Sequence, residues 1–190
     1  MEYNDGYETV KQKLIIAGIK EIEMHGIADC SLRRVASMCN VSCAAPYKHF
    51  KDKDDFIAEI VMYIHNQWTM LESHVISVFD GDVKKQLTET CIAYIRFWIA
   101  NPNFRTMLMM KTDTFGAERK DIMTEIAGGI NKLIKKCCEL CNQAPEEEKI
   151  KIYKIRSLLY GATLMMDNGE LDNSTDTIDM IRKCIEDEFK

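Results

Sequence analysis

The residues best suited to bind a charged partner are concentrated in a short stretch near the N-terminus. This stretch, 31–53, holds five cationic side chains and one carboxylate, a net charge of +4 in a chain that carries −5 overall. The charged residues are Arg33, Arg34, Lys48, Lys51 and Lys53, against Asp52. Such a cluster indicates binding to nucleic-acid phosphates, although a solvated charged face has a similar composition.

No arrangement of residues indicates catalysis, and no histidine-based metal motif is present. The sequence contains no Gly-x-Ser-x-Gly, no P-loop and no His-Glu-x-x-His motif. Its four histidines do not fall at ligand spacing with carboxylates. We therefore predict no enzyme activity, no catalytic residues, no metal ion and no cofactor.

Three cysteines lie close together in the chain, at Cys137, Cys138 and Cys141. The last two have a spacing used by metal and redox sites, and Lys135 and Lys136 nearby would favour a thiolate. A structural zinc site needs four ligands, however, and the sequence offers no second cluster. The cysteines are therefore predicted to be mostly buried thiols, and a cysteine-based redox or metal sensor remains an alternative function.

The cationic stretch falls on predicted helices. Apolar residues recur at helical spacing from residue 9 to residue 25, and Gly26 ends this first helix where a positive φ is needed. The hydroxyl of Ser31 is predicted to cap a second helix. Arg33 lies away from the apolar side of that helix and is free to contact a partner.

The second helix is followed by a turn and a third short helix. Asn40-Val41 interrupts the second helix, because Asn tolerates the left-handed conformation. Ser42 is then predicted to cap a helix from Cys43 to Phe50, with Phe50 in the core and Tyr47 on the surface. By periodicity alone this could be an ordinary corner between two helices or a DNA-binding helix-turn-helix.

Three segments resemble the DNA-binding region of the TetR family of transcription regulators. They are Ser31-Leu32-Arg33-Arg34-Val35-Ala36, Cys39-Asn40-Val41-Ser42 and Pro46-Tyr47-Lys48-His49-Phe50-Lys51-Asp52-Lys53. The resemblance extends from Val10 to about Ile60. It persists more weakly at Asn101-Pro102-Asn103-Phe104-Arg105, at Tyr160-Gly161 and from Asp167 to Leu171. The sequence departs from the family pattern at Asn40, where Gly is usual, and at Pro46, where Leu is usual.

The resemblance implies a role for seven residues in binding operator double-stranded DNA. Those expected to face base edges are Arg33, Cys43 and Ala44. Those expected mainly to hold phosphates are Tyr47, Lys48, His49 and Lys53. Arg33 is the obvious reader of a base, because a guanidinium can bind guanine with two hydrogen bonds.

The fold class predicted for the chain is all-α, with about nine helices. Residues 1–52 would form a three-helix helix-turn-helix head, and residues 53–190 a helical ligand-binding and dimerisation domain. Beyond the head, helices are expected at about 53–78, 82–100, from Asn103, at 116–141, 145–167 and 174–189. Asp52, Asp54 and Asp55 place negative charge at the start of the helix that joins the two regions.

The second region is expected to bind a small-molecule effector and a second copy of the chain. Residues proposed near the ligand are Phe97, Trp98, Phe104, Met107 and Met110, although such stripes are more often core. In the family the last two helices form a four-helix bundle with their symmetry mates. Apolar stripes that suit this bundle, or equally an intrachain core, are Ile152, Ile155, Leu159, Ala162, Met166, Ile178, Ile181, Ile185 and Phe189.

The sequence therefore predicts a homodimeric regulator, most simply a repressor that a small apolar or amphipathic ligand releases from an inverted-repeat operator. No window approaches the roughly 18 uncharged apolar residues of a membrane span, and no leader is evident, so we expect a cytoplasmic protein without a membrane partner. A further alternative is a protein of the same fold that binds a ligand or a protein but not DNA. The retained Arg33, Tyr47, Lys48, His49 and Lys53 argue against it.

Overall fold

The computed structural model describes residues 9–102 and 126–190, and every regular element in these two ranges is helical. There are seven α-helices and one short 3-10 turn, Pro46–Lys48, between the second and third helices. The helices are α1 Val10–His25, α2 Leu32–Met38, α3 Lys53–Val78, α4 Val83–Ala100, α5 Gly128–Leu140, α6 Pro145–Asp167 and α7 Thr175–Asp187. The all-α prediction is confirmed.

The prediction of about nine helices is corrected to seven in the described ranges. The expected helix from Cys43 to Phe50 is a turn followed by the 3-10 turn. The expected helix from Asn103, which carries Phe104, Met107 and Met110, lies outside the described residues. So does the first part of the helix predicted over 116–141, of which α5 is the observed part.

Pro46 explains why the third helix does not form. An α-helix there would need an amide donor at position 46 to bond Ser42, and proline has none. Three of the observed bonds instead span three residues, from the amides of Ala45, Lys48 and His49 to the carbonyls of Ser42, Ala45 and Pro46. This is the tighter 3-10 pattern. Only the last bond, from the amide of Phe50 to the Pro46 carbonyl, spans four. Ala45 stands at the N-cap position of the 3-10 turn, and no side-chain hydrogen bond caps it.

The helix boundaries follow the predicted stop and start signals. Gly26 has a φ of 76° and ends α1, and Asn40 has a φ of 54° in the turn after α2. At the start of α3 the amide of Asp55 donates to Asp52 Oδ1, and the amide of Lys51 donates to Asp55 Oδ2, each at 2.8 Å. These two acidic residues therefore cap α3 reciprocally, which satisfies amides that have no intrahelical partner.

The described chain divides into two compact units, and the division falls inside α3, between His65 and Asn66. The sequence placed its domain boundary at the start of that helix, between Asp52 and Lys53, and that boundary stays a prediction. Within the first unit α1 packs on α2, and the ring of Phe50 lies 4.8 Å from that of Phe56. Gly18 permits this core, because a Cβ there would overlap the Phe56 ring.

The second unit is organised around α4, which packs against α5, α6 and α7. Its centre holds four buried aromatic side chains with ring centroids 5.2–5.8 Å apart: Trp68, Tyr94, Phe97 and Trp98. Most of these rings meet edge to face, an arrangement that adds to the free energy gained by burying them. None of the described helices has both the length and the apolar character of a membrane span.

Candidate nucleic-acid interface

All seven predicted DNA-binding residues lie in the first unit, on α2, on the 3-10 turn and its flanks, and at the start of α3. Six of them are solvent-exposed and one is partly exposed. The exposed residues are Arg33, Cys43, Ala44, Tyr47, Lys48 and His49, and the partly exposed one is Lys53. The unit therefore presents cationic and single-donor side chains to solvent, as a phosphate-binding surface requires.

The two neighbouring arginines of α2 have different environments. Arg34 donates from Nε to Glu21 Oε1 at 2.7 Å, and its Nη2 lies 2.5 Å from the same oxygen. The same Nη2 also donates to the carbonyl of Asp29. Arg33 is exposed and has no ion pair with any described residue. Arg34 thus stabilises the head, whereas the charge of Arg33 is available to a partner.

Glu21 is a buried carboxylate that the sequence analysis did not single out. It is 1% exposed, and besides Arg34 it accepts a hydrogen bond from the amide of Ser31 at 3.2 Å. The Ser31 hydroxyl itself makes no capping bond, so the prediction of a hydroxyl cap is wrong. Glu21 satisfies the Ser31 amide, just before α2, from a neighbouring helix, and this fixes where α2 begins relative to α1.

Tyr47 lies on the surface and Phe50 in the core, as predicted. Tyr47 is 61% exposed, whereas Phe50 is 1% exposed and packs on Phe56. Pro46 is also buried. The short segment is therefore held by Pro46 and Phe50, and it directs Tyr47 and its exposed neighbours outwards even though it is not an α-helix.

Lys53 contacts its own chain. Its Nζ donates to the carbonyl of Ala28 at 2.6 Å, which ties the start of α3 to the segment between α1 and α2. An ammonium group has three donors, so a phosphate contact is compatible with this bond. Its predicted contact with phosphate stays a prediction.

The residues proposed for the ligand site are described only in part. Phe97 and Trp98 belong to the buried aromatic centre, and Trp98 is 1% exposed. Phe104, Met107 and Met110 lie outside the described residues. Phe97 also lines an open apolar groove of about 430 Å³ along α3 and α4 in the second unit. The other lining residues are Leu71, Val75, Phe79, Glu89, Ile92, Ala93, Arg96, Ala100 and Asn101.

The two charged residues of this groove differ in their partners. Glu89 accepts from Nη1 of Arg182 on α7, so its charge is neutralised. Arg96 is exposed and has no ion pair with a described residue. The groove therefore combines an apolar floor with one uncompensated positive charge.

The predicted dimerisation stripes are mostly intrachain core. Seven of the nine residues are buried within the single chain: Ile155, Leu159, Ala162, Ile178, Ile181, Ile185 and Phe189. A different side of α6 carries exposed apolar residues, with Tyr153 at 73%, Tyr160 at 37% and Leu164 at 44%. Their spacing of seven and four residues places them on one side of the helix.

The three cysteines of the cluster are mostly buried and are not set up as reactive thiols. Cys137 and Cys138 are buried and Cys141 is partly exposed, and all three are free thiols. Burial raises the pKa of Cys137 to about 11 and also raises that of Cys138. A raised pKa suppresses the reactive thiolate. Within residues 9–102 and 126–190 no group of three or more His, Cys, Asp or Glu side chains is arranged to hold a metal ion.

The sequence comparisons give a distant relative. No protein-family model matches the sequence. A stretch of 98 residues is 24% identical to the Escherichia coli K12 protein named "Probable acrEF/envCD operon repressor". It covers 52% of this chain and 44% of that protein, so the match spans less than half the length of the relative.

The solved structures that resemble this chain cover nearly all of it. A Clostridium perfringens protein named as a fatty acid metabolism regulator has a TM-score of 0.78 at 17% identity, covering 94% of this chain and 98% of its own. A TetR-family transcription regulator of Marinobacter aquaeolei VT8 has a TM-score of 0.74 at 14% identity, with 94% of both chains covered. At these identities the likeness establishes the fold.

A third structure is FadR of Bacillus subtilis, solved in complex with stearoyl-CoA. It has a TM-score of 0.69 at 14% identity, covering 94% of this chain and 97% of its own. The resemblance to the TetR family that the sequence indicated is thus confirmed at the level of the fold.

Proposed function

We propose that this chain, which has the fold of TetR-family transcription regulators, is itself a DNA-binding transcription regulator. It acts as a repressor that a small apolar or amphipathic ligand releases from an inverted-repeat operator. The observation that carries the proposal is the exposed Arg33, beside an Arg34 whose charge Glu21 takes up. An arginine without an ion pair, next to one that is paired with a buried carboxylate, is suited to an external partner.

The DNA-binding surface combines base reading with phosphate binding. Arg33 engages a base edge, while Tyr47, Lys48 and His49 donate to phosphates and fix the register of the head on the duplex. Cys43 and Ala44 are small and exposed, so they allow close approach to the major groove. Lys53 adds a phosphate contact.

Two heads bind one operator because the chain forms a homodimer. Helix-turn-helix dimers reach two half-sites about 34–36 Å apart on one face of the duplex, so the operator is an inverted repeat. We assign the dimer contact to the exposed side of α6 that carries Tyr153, Tyr160 and Leu164. These apolar side chains are exposed in the single chain, so covering them with a partner would bury apolar surface and stabilise the dimer.

The groove along α3 and α4 is the proposed effector site. Its apolar floor suits a hydrocarbon chain, and Arg96 suits an anionic head group. The complex of FadR with stearoyl-CoA supports an amphipathic ligand by analogy of fold alone. Because α3 is one helix from Lys53 to Val78, it is our candidate link between ligand and operator binding, which must antagonise each other reciprocally.

A selection from random duplexes at low salt tests the DNA-binding function. The proposal expects enrichment of an approximate inverted repeat. Failure to enrich any duplex, by a protein that remains folded and dimeric, would favour the alternative of a ligand-binding or protein-binding module without DNA binding.

Changing the lining of the groove should weaken the response to ligand. We expect Ala93→Phe to occupy the apolar floor and Arg96→Gln to remove the charge. Each should weaken release of the operator by dodecanoate by about tenfold or more. Ala93→Phe takes the space of the hydrocarbon chain, and Arg96→Gln removes a charged hydrogen bond worth about 1.5–3 kcal/mol. Dodecanol has no carboxylate to bind Arg96. Its effect on the operator complex should therefore be weakened by Ala93→Phe but not by Arg96→Gln. If dodecanoate released the operator from both variants as it does from wild type, the groove would not be the effector site.

The cysteines should not be the main switch. Replacing Cys137, Cys138 and Cys141 together by Ala should leave operator affinity and ligand response within about a few-fold of wild type, because burial keeps the first two protonated. Operator titrations of the reduced and peroxide-treated proteins measure this. Loss of the response in the triple variant would favour the redox or metal sensor instead.

A further inference from the structure

Glu72 is an acidic side chain on α3 whose carboxyl group reaches the interior of the second unit. Its Oε1 atom is shielded from solvent and has no hydrogen-bond partner among the described residues. Trp68, one turn earlier on the same helix, is buried against the aromatic rings of α4. A buried carboxylate without partners is unfavourable, because the lost hydration is not replaced.

Gly129 on α5 is the residue that admits this carboxyl group. A Cβ atom at position 129 would overlap the carboxyl carbon and both carboxyl oxygens of Glu72. The glycine stands in the first turn of α5, where any other residue would extend into the carboxyl position. The absence of a side chain at Gly129 is therefore matched to the presence of one at Glu72.

Two titratable side chains of the described residues interact electrostatically with Glu72, one from each neighbouring helix. Lys132 on α5 favours the ionised form, but burial outweighs it and raises the pKa of Glu72 to about 7. On α4 the pKa of Cys91 is raised by burial, by Cys137 and by Glu72. Within residues 9–102 and 126–190 no ion pair compensates Glu72, so ionisation places a charge in this partly buried contact.

We propose that Glu72 is a proton-responsive group that couples pH to the packing of α3 against α5. As a neutral acid it fits the space over Gly129. As a carboxylate it must draw in water or turn outwards, which loosens the contact between the two helices. This device is independent of DNA binding. An accompanying effect of pH on operator affinity, transmitted along α3, would rest on the proposed function.

The pH dependence of stability follows from the direction of this pKa shift. The folded protein holds the Glu72 proton up to about pH 7, whereas the ordinary value is 4.5. The free energy of unfolding therefore falls as pH rises between these values and levels off above the folded pKa. In the Glu72→Gln variant the side chain is neutral at every pH, so its free energy of unfolding does not fall in this way. Its melting temperature should exceed that of wild type by about 2–4 °C at pH 8.5 and by much less at pH 5.

Glu59→Gln is the matched control, since Glu59 lies on the same helix and is partly exposed, 2.9 Å from Lys11. In this variant the difference between the melting temperatures at pH 5 and at pH 8.5 should equal that of wild type. A titration of the wild-type protein with ¹³C-labelled glutamate is a second measurement that needs no variant. It should contain one carboxyl resonance with a midpoint near 7.

Gly129→Ala tests the geometry without any change of pH. It should lower the melting temperature of wild type, because the new methyl group displaces the Glu72 carboxyl. In a Glu72→Ala background the same change should be neutral or stabilising, since alanine favours a helix over glycine. An equal loss in both backgrounds, or all glutamates titrating below pH 5.5, would overturn the proposal.

Discussion

Replacing Arg33 with alanine is expected to weaken binding to the selected operator by about 5-fold to 150-fold, or about 1–3 kcal/mol, while the protein stays folded. The side chain is exposed and makes no ion pair with a described residue, so its removal costs little stability. It should also relax the preference for one base pair in each half-site. Equilibrium titration with the operator and with its single-base variants measures both effects.

The neighbouring Arg34 is the control for Arg33. Arg34→Ala leaves the buried Glu21 without its cation, so it should lower the free energy of unfolding and should not relax a single base preference. Lys53→Ala should weaken all duplexes similarly and reduce the salt slope by about one. If Arg33→Ala bound every duplex as wild type does, the assignment of Arg33 as a base reader would be wrong.

Placing a charge on the exposed side of α6 is expected to separate the dimer. In the Tyr153→Asp, Leu164→Asp double variant, two carboxylates replace exposed apolar side chains and would be buried unpaired at the contact. The monomer should bind the inverted repeat about 100-fold more weakly or worse, because each head then docks alone. Sedimentation measures the oligomeric state, and operator titration measures the affinity.

Met70→Asp is the matched control for that variant. Met70 is also a large exposed apolar residue of the second unit, but it lies on α3. This variant should remain dimeric and bind the operator as wild type does. If the double variant stayed dimeric, this side of α6 would not be the dimer contact. If the wild-type protein were a monomer, the proposed homodimer would be wrong.

Local signals in the sequence were sufficient for most of the head. Gly26 and Asn40 take the positive φ values that their positions predicted, and the acidic start of α3 forms a reciprocal cap. Phe50 is in the core and Tyr47 is exposed, as expected. Each of these outcomes depends on a backbone conformation or on burial within a few residues, and sequence patterns report such features directly.

The buried carboxylate of Glu21 and the partly buried one of Glu72 were missed, although helical spacing could have found both. Glu21 lies three and four residues after the buried Gly18 and Ala17, and Glu72 lies four residues after the buried Trp68. An acidic residue on the apolar side of a helix is a signal in itself. Its partner, in contrast, comes from a distant segment, as Arg34 and Gly129 do, and spacing along one helix cannot identify that segment.

The third helix did not form as predicted, and the sequence could not decide between core and dimer contact for the stripes of α6 and α7; the physical reasons differ. The sequence analysis expected an α-helix from Cys43 to Phe50, but Pro46 has no amide donor, and this left the 3-10 pattern as the bonded alternative. On α6 and α7 the apolar spacing is the same for a core and for a partner surface. The packing of α4 against both helices assigns residues such as Ile155 and Ile181 to the core.

The central claim is that the exposed surface of the first unit binds operator DNA, and titration over a range of salt concentrations tests it most directly. The variant for comparison carries Arg33→Ala, Tyr47→Phe, Lys48→Ala and His49→Ala, all at exposed positions. We predict that wild type binds the selected inverted repeat with strong salt dependence, and that the variant loses this binding while its melting temperature is kept. Equal affinity and equal salt slope for the two proteins would contradict the claim.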